Sequence, residues 1–102
     1  MKFYTLDGHT PVPVARDNVV TWGRWFETTD RRVAHDSFPG AVTVSVSTVF
    51  LGLDHRHVGD GPPLLFETMV FGGPHDQAQL RYATWDEAIA GHARMVRRVM
   101  GQ

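Results

Sequence analysis

Glu67 sits inside the apolar run Leu64-Leu65-Phe66-Glu67-Thr68-Met69-Val70-Phe71. A carboxylate among such neighbours must find a partner or stay protonated. A functional carboxylate at that position would serve as a general base, a metal ligand or an acceptor for a ligand's N–H groups. The ordinary alternative is an ion pair with an arginine such as Arg81 or Arg24, or an edge position facing water. Structural pairs perturb carboxylates as functional sites do.

The six histidines are His9, His35, His55, His57, His75 and His92. Asp54-His55-Arg56-His57 is the one local cluster. On a strand, His-x-His places both rings on one face, as a pair of metal ligands would be. On a loop tip the same pattern is polar surface, and no third ligand is fixed by spacing. No metal and no cofactor are therefore assigned. His92 falls on the apolar stripe of a C-terminal helix, where a lone histidine is more often a satisfied core residue than a ligand.

Arg31-Arg32 follow Thr28-Thr29-Asp30, close to Trp22, Trp25 and Phe26. Two adjacent guanidiniums beside aromatics suit phosphate pairing, and the plainer reading is a solvated strand start. Tryptophan faces also stack on flat bases, although core packing is expected for two of the three. Gly72-Gly73 after a strand could cradle a phosphate, but Pro74 follows at once and favours an ordinary turn. There is no G-x-S-x-G, no P-loop and no G-x-G-x-x-G. The candidate ligand-binding set is Glu67, His55, Arg31, Arg32, Trp25 and Arg81, with no catalytic residue assigned.

The elements that must position these residues read as α+β. Lys2–Leu6 is expected as a short strand ending at the Asp7-Gly8 turn. Pro11-Val12-Pro13-Val14 must be extended, on an edge or in a loop. Asp17 is expected to cap a first helix reaching about Thr28, with Val19, Trp22, Trp25 and Phe26 on one face. Gly23 weakens that helix, so a kink or a close contact is expected there.

After the Phe38-Pro39-Gly40 turn, Val42, Val44 and Val46 alternate with polar residues, a strand with one buried face. It fills in at Val49-Phe50-Leu51, an end expected to be covered on both faces. Leu64–Phe71 is its antiparallel partner across an Asp54–Pro63 loop, and Gly72-Gly73-Pro74 terminates it. Arg81–Ala83 is a further short strand. Thr84-Trp85-Asp86-Glu87 is a capping box opening a helix whose stripe is Trp85, Ala88, Ile89, His92, Met95, Val96 and Val99. The expected fold is a small antiparallel sheet of about three to five strands, with an N-terminal-half helix and a C-terminal helix on one face.

With 102 residues, residues 1–102 read as a single domain. At 42% apolar and 21% charged residues the chain is globular and not disordered. The absence of cysteine removes disulfides, thiolate catalysis and Cys-based zinc sites. A net charge of −1 gives no reason to expect bulk nucleic acid or a membrane surface as partner. No long apolar run opens the chain or spans a bilayer, so the expected location is cytoplasmic. The apolar content on both faces of Leu64–Phe71 exceeds what one helix layer covers, so a homo-oligomer is expected, most simply a C2 dimer. Of the ten basic residues only Lys2 is a lysine, as a GC-rich genome would favour.

Three segments carry a resemblance: Ser47-Thr48-Val49-Phe50-Leu51-Gly52-Leu53-Asp54-His55, Pro63–Gly73, and Arg81-Tyr82-Ala83-Thr84-Trp85-Asp86-Glu87-Ala88 followed by Gly91-His92. They resemble a group of small proteins carried by bacteriophages and prophages of GC-rich bacteria, from about Trp22 to the end of the chain. That group has no established activity, so the resemblance implies a phage-type accessory protein living in the host cytoplasm and carries no site with it. His35–Ala41 and the His55-Arg56-His57 tip depart from the group.

Three functions follow as expectations, in this order. The first is a non-enzymatic oligomeric binder, such as an anti-defence protein that sequesters a nucleotide-like signal or blocks a host defence protein. The second is a protein–protein or structural module of a phage without a small ligand. The third is a small metal-assisted hydrolase using Glu67 with His55 or His92.

Overall fold

A computed structural model describes residues 2–54 and 61–101. The first two strands, β1 (Phe3–Asp7) and β2 (Thr10–Val14), form a separate two-stranded antiparallel ribbon. A two-residue turn joins them, so Asp7 and Thr10 close the hairpin and Pro11 and Pro13 sit opposite Leu6 and Tyr4. In that register both prolines occupy positions whose N side faces away from the partner strand, so neither costs a ladder bond.

A single 3-10 turn, Arg16–Asn18, leads into helix α1 (Val19–Thr28). The helix starts one residue later than the sequence suggests. Asp17 lies in the 3-10 turn, and the residue at the cap, Asn18, makes no side-chain capping bond. Trp22, Trp25 and Phe26 form the half-buried face, but Val19 is exposed and no residue of α1 is fully buried. Gly23 has open space around it and the helix runs on unbroken, so neither a kink nor a close contact accounts for it.

The remaining strands, β3 (Arg32–Phe38), β4 (Val44–Phe50), β5 (Phe66–Phe71) and β6 (Gln79–Tyr82), make an antiparallel sheet in chain order. Thr48 lies opposite Thr68, Val49 opposite Glu67, and Glu67 opposite Arg81. A bulge between Arg32 and Ala34 interrupts the β3–β4 register. Val42 is exposed and precedes β4, so the buried alternation runs instead through Val44, Val46, Thr48 and Phe50.

Helix α2 (Trp85–Val99) covers that face of the sheet. Thr84 caps it, its hydroxyl accepting from the Glu87 N–H at 3.1 Å. The Glu87 carboxylate turns to the same hydroxyl at 3.0 Å, so the box closes on the side chain and not on the Thr84 amide. Ala88, His92 and Met95 are buried along the expected stripe, whereas Ile89 is exposed.

The core has two parts. Phe50, Leu65, Phe66, Tyr82 and Ala88 gather with Tyr4 at one end, and Val46, Val70 and Met95 at the other. Trp25 reaches the first cluster edge-on to Phe50, with ring centroids 6.1 Å apart. Helix α1 thus meets the sheet on the face that α2 covers. The β1–β2 ribbon closes this end through Tyr4 and Leu6, and its tip lays the His9 ring flat on Trp85 at 3.9 Å. No helix among the described residues is long and apolar enough to cross a membrane.

Candidate functional site

The strand alternation that buries Val46, Phe50, Phe66 and Val70 also buries Thr48 and Thr68 between them. Two facing hydroxyls under a helix must be satisfied locally, and His92 comes down from α2 to meet them. Thr68 and Thr48 are linked Oγ1 to Oγ1 at 2.5 Å, Thr48 Oγ1 reaches His92 Nδ1 at 2.7 Å, and His92 Nε2 reaches Asp36 Oδ2 at 2.8 Å. A carboxylate only accepts, so Nε2 carries the proton toward Asp36. With the ring neutral, Nδ1 accepts from the Thr48 hydroxyl, and the Thr48 oxygen accepts from Thr68. Every member is served by one directed chain that ties β3, β4, β5 and α2 together.

Carboxylate, imidazole and hydroxyl in this order are the parts of an activated nucleophile. Access decides against that use. Thr48 and Thr68 have no exposed surface, His92 is almost fully covered, and only the Asp36 carboxyl, 52% exposed, meets water. The end that would have to attack is sealed, and the end that orients is open.

By the same alternation Glu67, Met69 and Phe71 point to the opposite face, which no helix among the described residues covers. Arg81 Nε donates to Glu67 Oε2 at 2.9 Å across the β5–β6 pair. This is the ion pair that the sequence offers as the ordinary reading of Glu67. Ser37 and Ser45 share a hydrogen bond at 3.2 Å farther along this face, and Phe71 is half exposed. Glu67 and His92 therefore lie on opposite faces of the sheet and do not converge on one substrate. His55 lies outside the described residues.

Arg31 and Arg32 diverge. The Arg31 guanidinium lies 3.6 Å above the Phe26 ring and donates from one NH group to the Phe50 carbonyl at 3.1 Å. Its Nε–H is buried without a partner among the described residues, and burial pulls its pKa below the usual arginine value. Arg32 opens β3 exposed, its amide held by the Asp30 carboxylate at 3.0 Å. The two do not form one phosphate clamp. Gly72 donates its N–H to Asp76 Oδ1 at 2.6 Å, so that amide is committed within the turn. No group of three or more His, Asp or Glu gathers among the described residues.

Two clefts border the base of the ribbon. One, of about 330 Å³, lies beside Lys2, Phe3, Pro13 and Arg16. The other, of about 340 Å³, lies between Thr5 and the α1 residues Thr21, Trp22 and Trp25. Val14 lines both. Of the candidate residues read from sequence, Trp25 borders one of these clefts. Lys2, Arg16, Asp36, Thr48 and Thr68 escape a reading of sequence motifs. For the threonines a signal does exist, since Val46-x-Thr48-x-Phe50 and Phe66-x-Thr68-x-Val70 each place a hydroxyl on an inward face.

Compared with models of protein families, with curated proteins and with solved structures, the chain matches none.

Proposed function

We propose that the chain is a small accessory protein of phage type that works by binding and not by catalysis. It acts as a homo-oligomer that holds a nucleotide-like small molecule or a host protein, in the manner of an anti-defence protein. The observation that carries this reading is the sealed Thr48 end of the Asp36–His92–Thr48–Thr68 chain. The best-formed polar array braces the sheet, while the clefts beside α1 open to solvent and the sheet face away from α2 is only partly covered among the described residues.

The sheet face away from α2 supports self-association. It carries Val49, Met69 and the half-exposed Phe71 beside the Glu67–Arg81 pair, a mixed surface of the kind that subunit interfaces use. Sedimentation at micromolar concentration tests this part, and a species of 11.4 kDa would end it.

The binding role is tested by phage growth on a defence-bearing host with one variant of the polar array. Thr48→Val, once refolded and melted to confirm its fold, should keep full function. If it abolished function with the fold intact, the polar array would be part of the active machinery and the binder reading would fail.

A further inference from the structure

We infer that the two clefts joined at Val14 form one binding site for a small anion carried on a flat ring, of the nucleoside monophosphate class. This rests on the binder reading and gives it a place and a ligand chemistry. One compartment is cationic and the other aromatic, and one residue separates them.

The cationic compartment is bordered by Lys2 and Arg16 and, among the described residues, by no carboxylate. Among the described residues neither cation takes part in an ion pair, so both charges are available to a ligand. Their backbones are fixed. The Lys2 carbonyl accepts from the Asp54 amide at 3.4 Å, and the 3-10 turn that carries Arg16 is closed by Asn18 N–H to the Ala15 carbonyl at 2.9 Å. Two positive groups on anchored backbone, facing one hollow, suit a phosphate monoester.

The aromatic compartment is built with equal economy. Trp22 is pinned by its indole N–H to the Tyr4 carbonyl at 2.8 Å and braced by Phe3 at 4.7 Å. Trp25 is held edge-on by Phe50. These rings are placed before any ligand arrives, which lowers the ordering cost of stacking a base. Asn18 and Thr21 stand on the wall, and the Asn18 side chain is left uncommitted by the helix cap. It offers a donor and an acceptor to the edge of a ring. Each hollow is near the lower limit of ~300–1,000 Å³ for small-molecule pockets, so the ligand is a mononucleotide-sized molecule and not a polymer.

The two halves exclude simpler ligands. Free phosphate would gain nothing from the tryptophan wall, and an uncharged ring would gain nothing from Lys2 and Arg16. A strand of nucleic acid needs a track of cations, which these two do not make.

The test titrates the full chain with AMP, with adenosine and with inorganic phosphate, following indole N–H resonances by NMR and heat by calorimetry. AMP should saturate, shifting Trp22 and Trp25 while Trp85 stays still, and adenosine and phosphate should each bind about tenfold or more weaker. Arg16→Glu and Lys2→Glu should each weaken AMP by about tenfold or more with an unchanged melting curve, because both side chains are exposed. Arg94→Glu, on the exposed side of α2, controls for net charge and should leave AMP binding as it was. AMP binding that Arg16→Glu and Lys2→Glu leave intact would overturn the location. Failure of AMP to saturate by about 10 mM would overturn the ligand class. Neither result touches the wider binder reading, which stands or falls on the Thr48→Val growth assay.

Discussion

The Tyr82 ring rests directly on the backbone of Gly91, in the middle of α2. A methyl group at Gly91 would overlap Tyr82 Cε1, Cζ and the hydroxyl, and the hydroxyl itself is buried with no hydrogen-bond partner among the described residues. A glycine inside a helix costs about 1 kcal/mol relative to alanine. Here it permits the close approach of β6 to α2 at the centre of the larger core cluster.

Gly91→Ala is therefore expected to destabilise the protein by about 1–3 kcal/mol, despite the better helix propensity of alanine. Tyr82→Phe should be neutral or stabilising by up to about 1 kcal/mol, because it removes an unsatisfied buried hydroxyl without opening a cavity. Urea denaturation of both variants checks the pair, and a stabilised Gly91→Ala protein would mean that the two elements do not pack this closely.

The buried polar chain makes a prediction about order. Thr48→Val strands both the Thr68 hydroxyl and His92 Nδ1, for a cost of about 2–3 kcal/mol. Thr68→Val strands no donor, since the Thr48 hydroxyl still has His92, and should cost about 1 kcal/mol or less. The double variant leaves only His92 Nδ1 without a donor. It should be more stable than Thr48→Val alone, a reversal of sign that the directed chain requires and that simple loss of packing does not produce. Four urea denaturation curves, for the parent, the two single variants and the double, read this order directly.

Much of this arrangement was legible in the sequence, and the reasons are local. The Thr84 cap, the β4–β5 hairpin, the proline-bearing edge strand and the burial of His92 all follow from patterns a few residues long. The β5–β6 pairing also brings Glu67 opposite Arg81, one of the two arginines expected as its partner. What is not local was lost. Asp36 reaches His92 across 56 positions, and nothing about either neighbourhood specifies the other. The divergence of Arg31 and Arg32 depends on where α1 docks, and Val42 alternates with its neighbours yet falls before the strand begins.

Glu67 and Arg81 lie on the side of the sheet away from α2, their side chains 14% and 35% exposed. Water screens such a pair, so Glu67→Gln should cost about 1 kcal/mol or less. A buried partner lost would cost about 1–3 kcal/mol. The exchanged pair Glu67→Arg with Arg81→Glu should regain part of what each single change loses, read as a coupling energy from four melting curves. A Glu67→Gln protein that melts normally and yet fails on the defence-bearing host would assign this face a functional role.

Two further glycines separate space from conformation. Gly23 lies within α1, and a methyl group added there would meet nothing within 4 Å, so Gly23→Ala should stabilise the protein by about 0.5–1 kcal/mol. Gly72 closes the turn after β5 with φ +89°, and a methyl there would collide with the Thr43 carbonyl. The contact is with backbone, which cannot swing aside as a side chain end would, and the positive φ adds about 1–3 kcal/mol of strain of its own. Gly72→Ala should therefore lose more than about 2 kcal/mol. Thermal melting of the two variants beside the parent would show opposite shifts, and a Gly72→Ala protein as stable as the parent would mean that this turn is built differently.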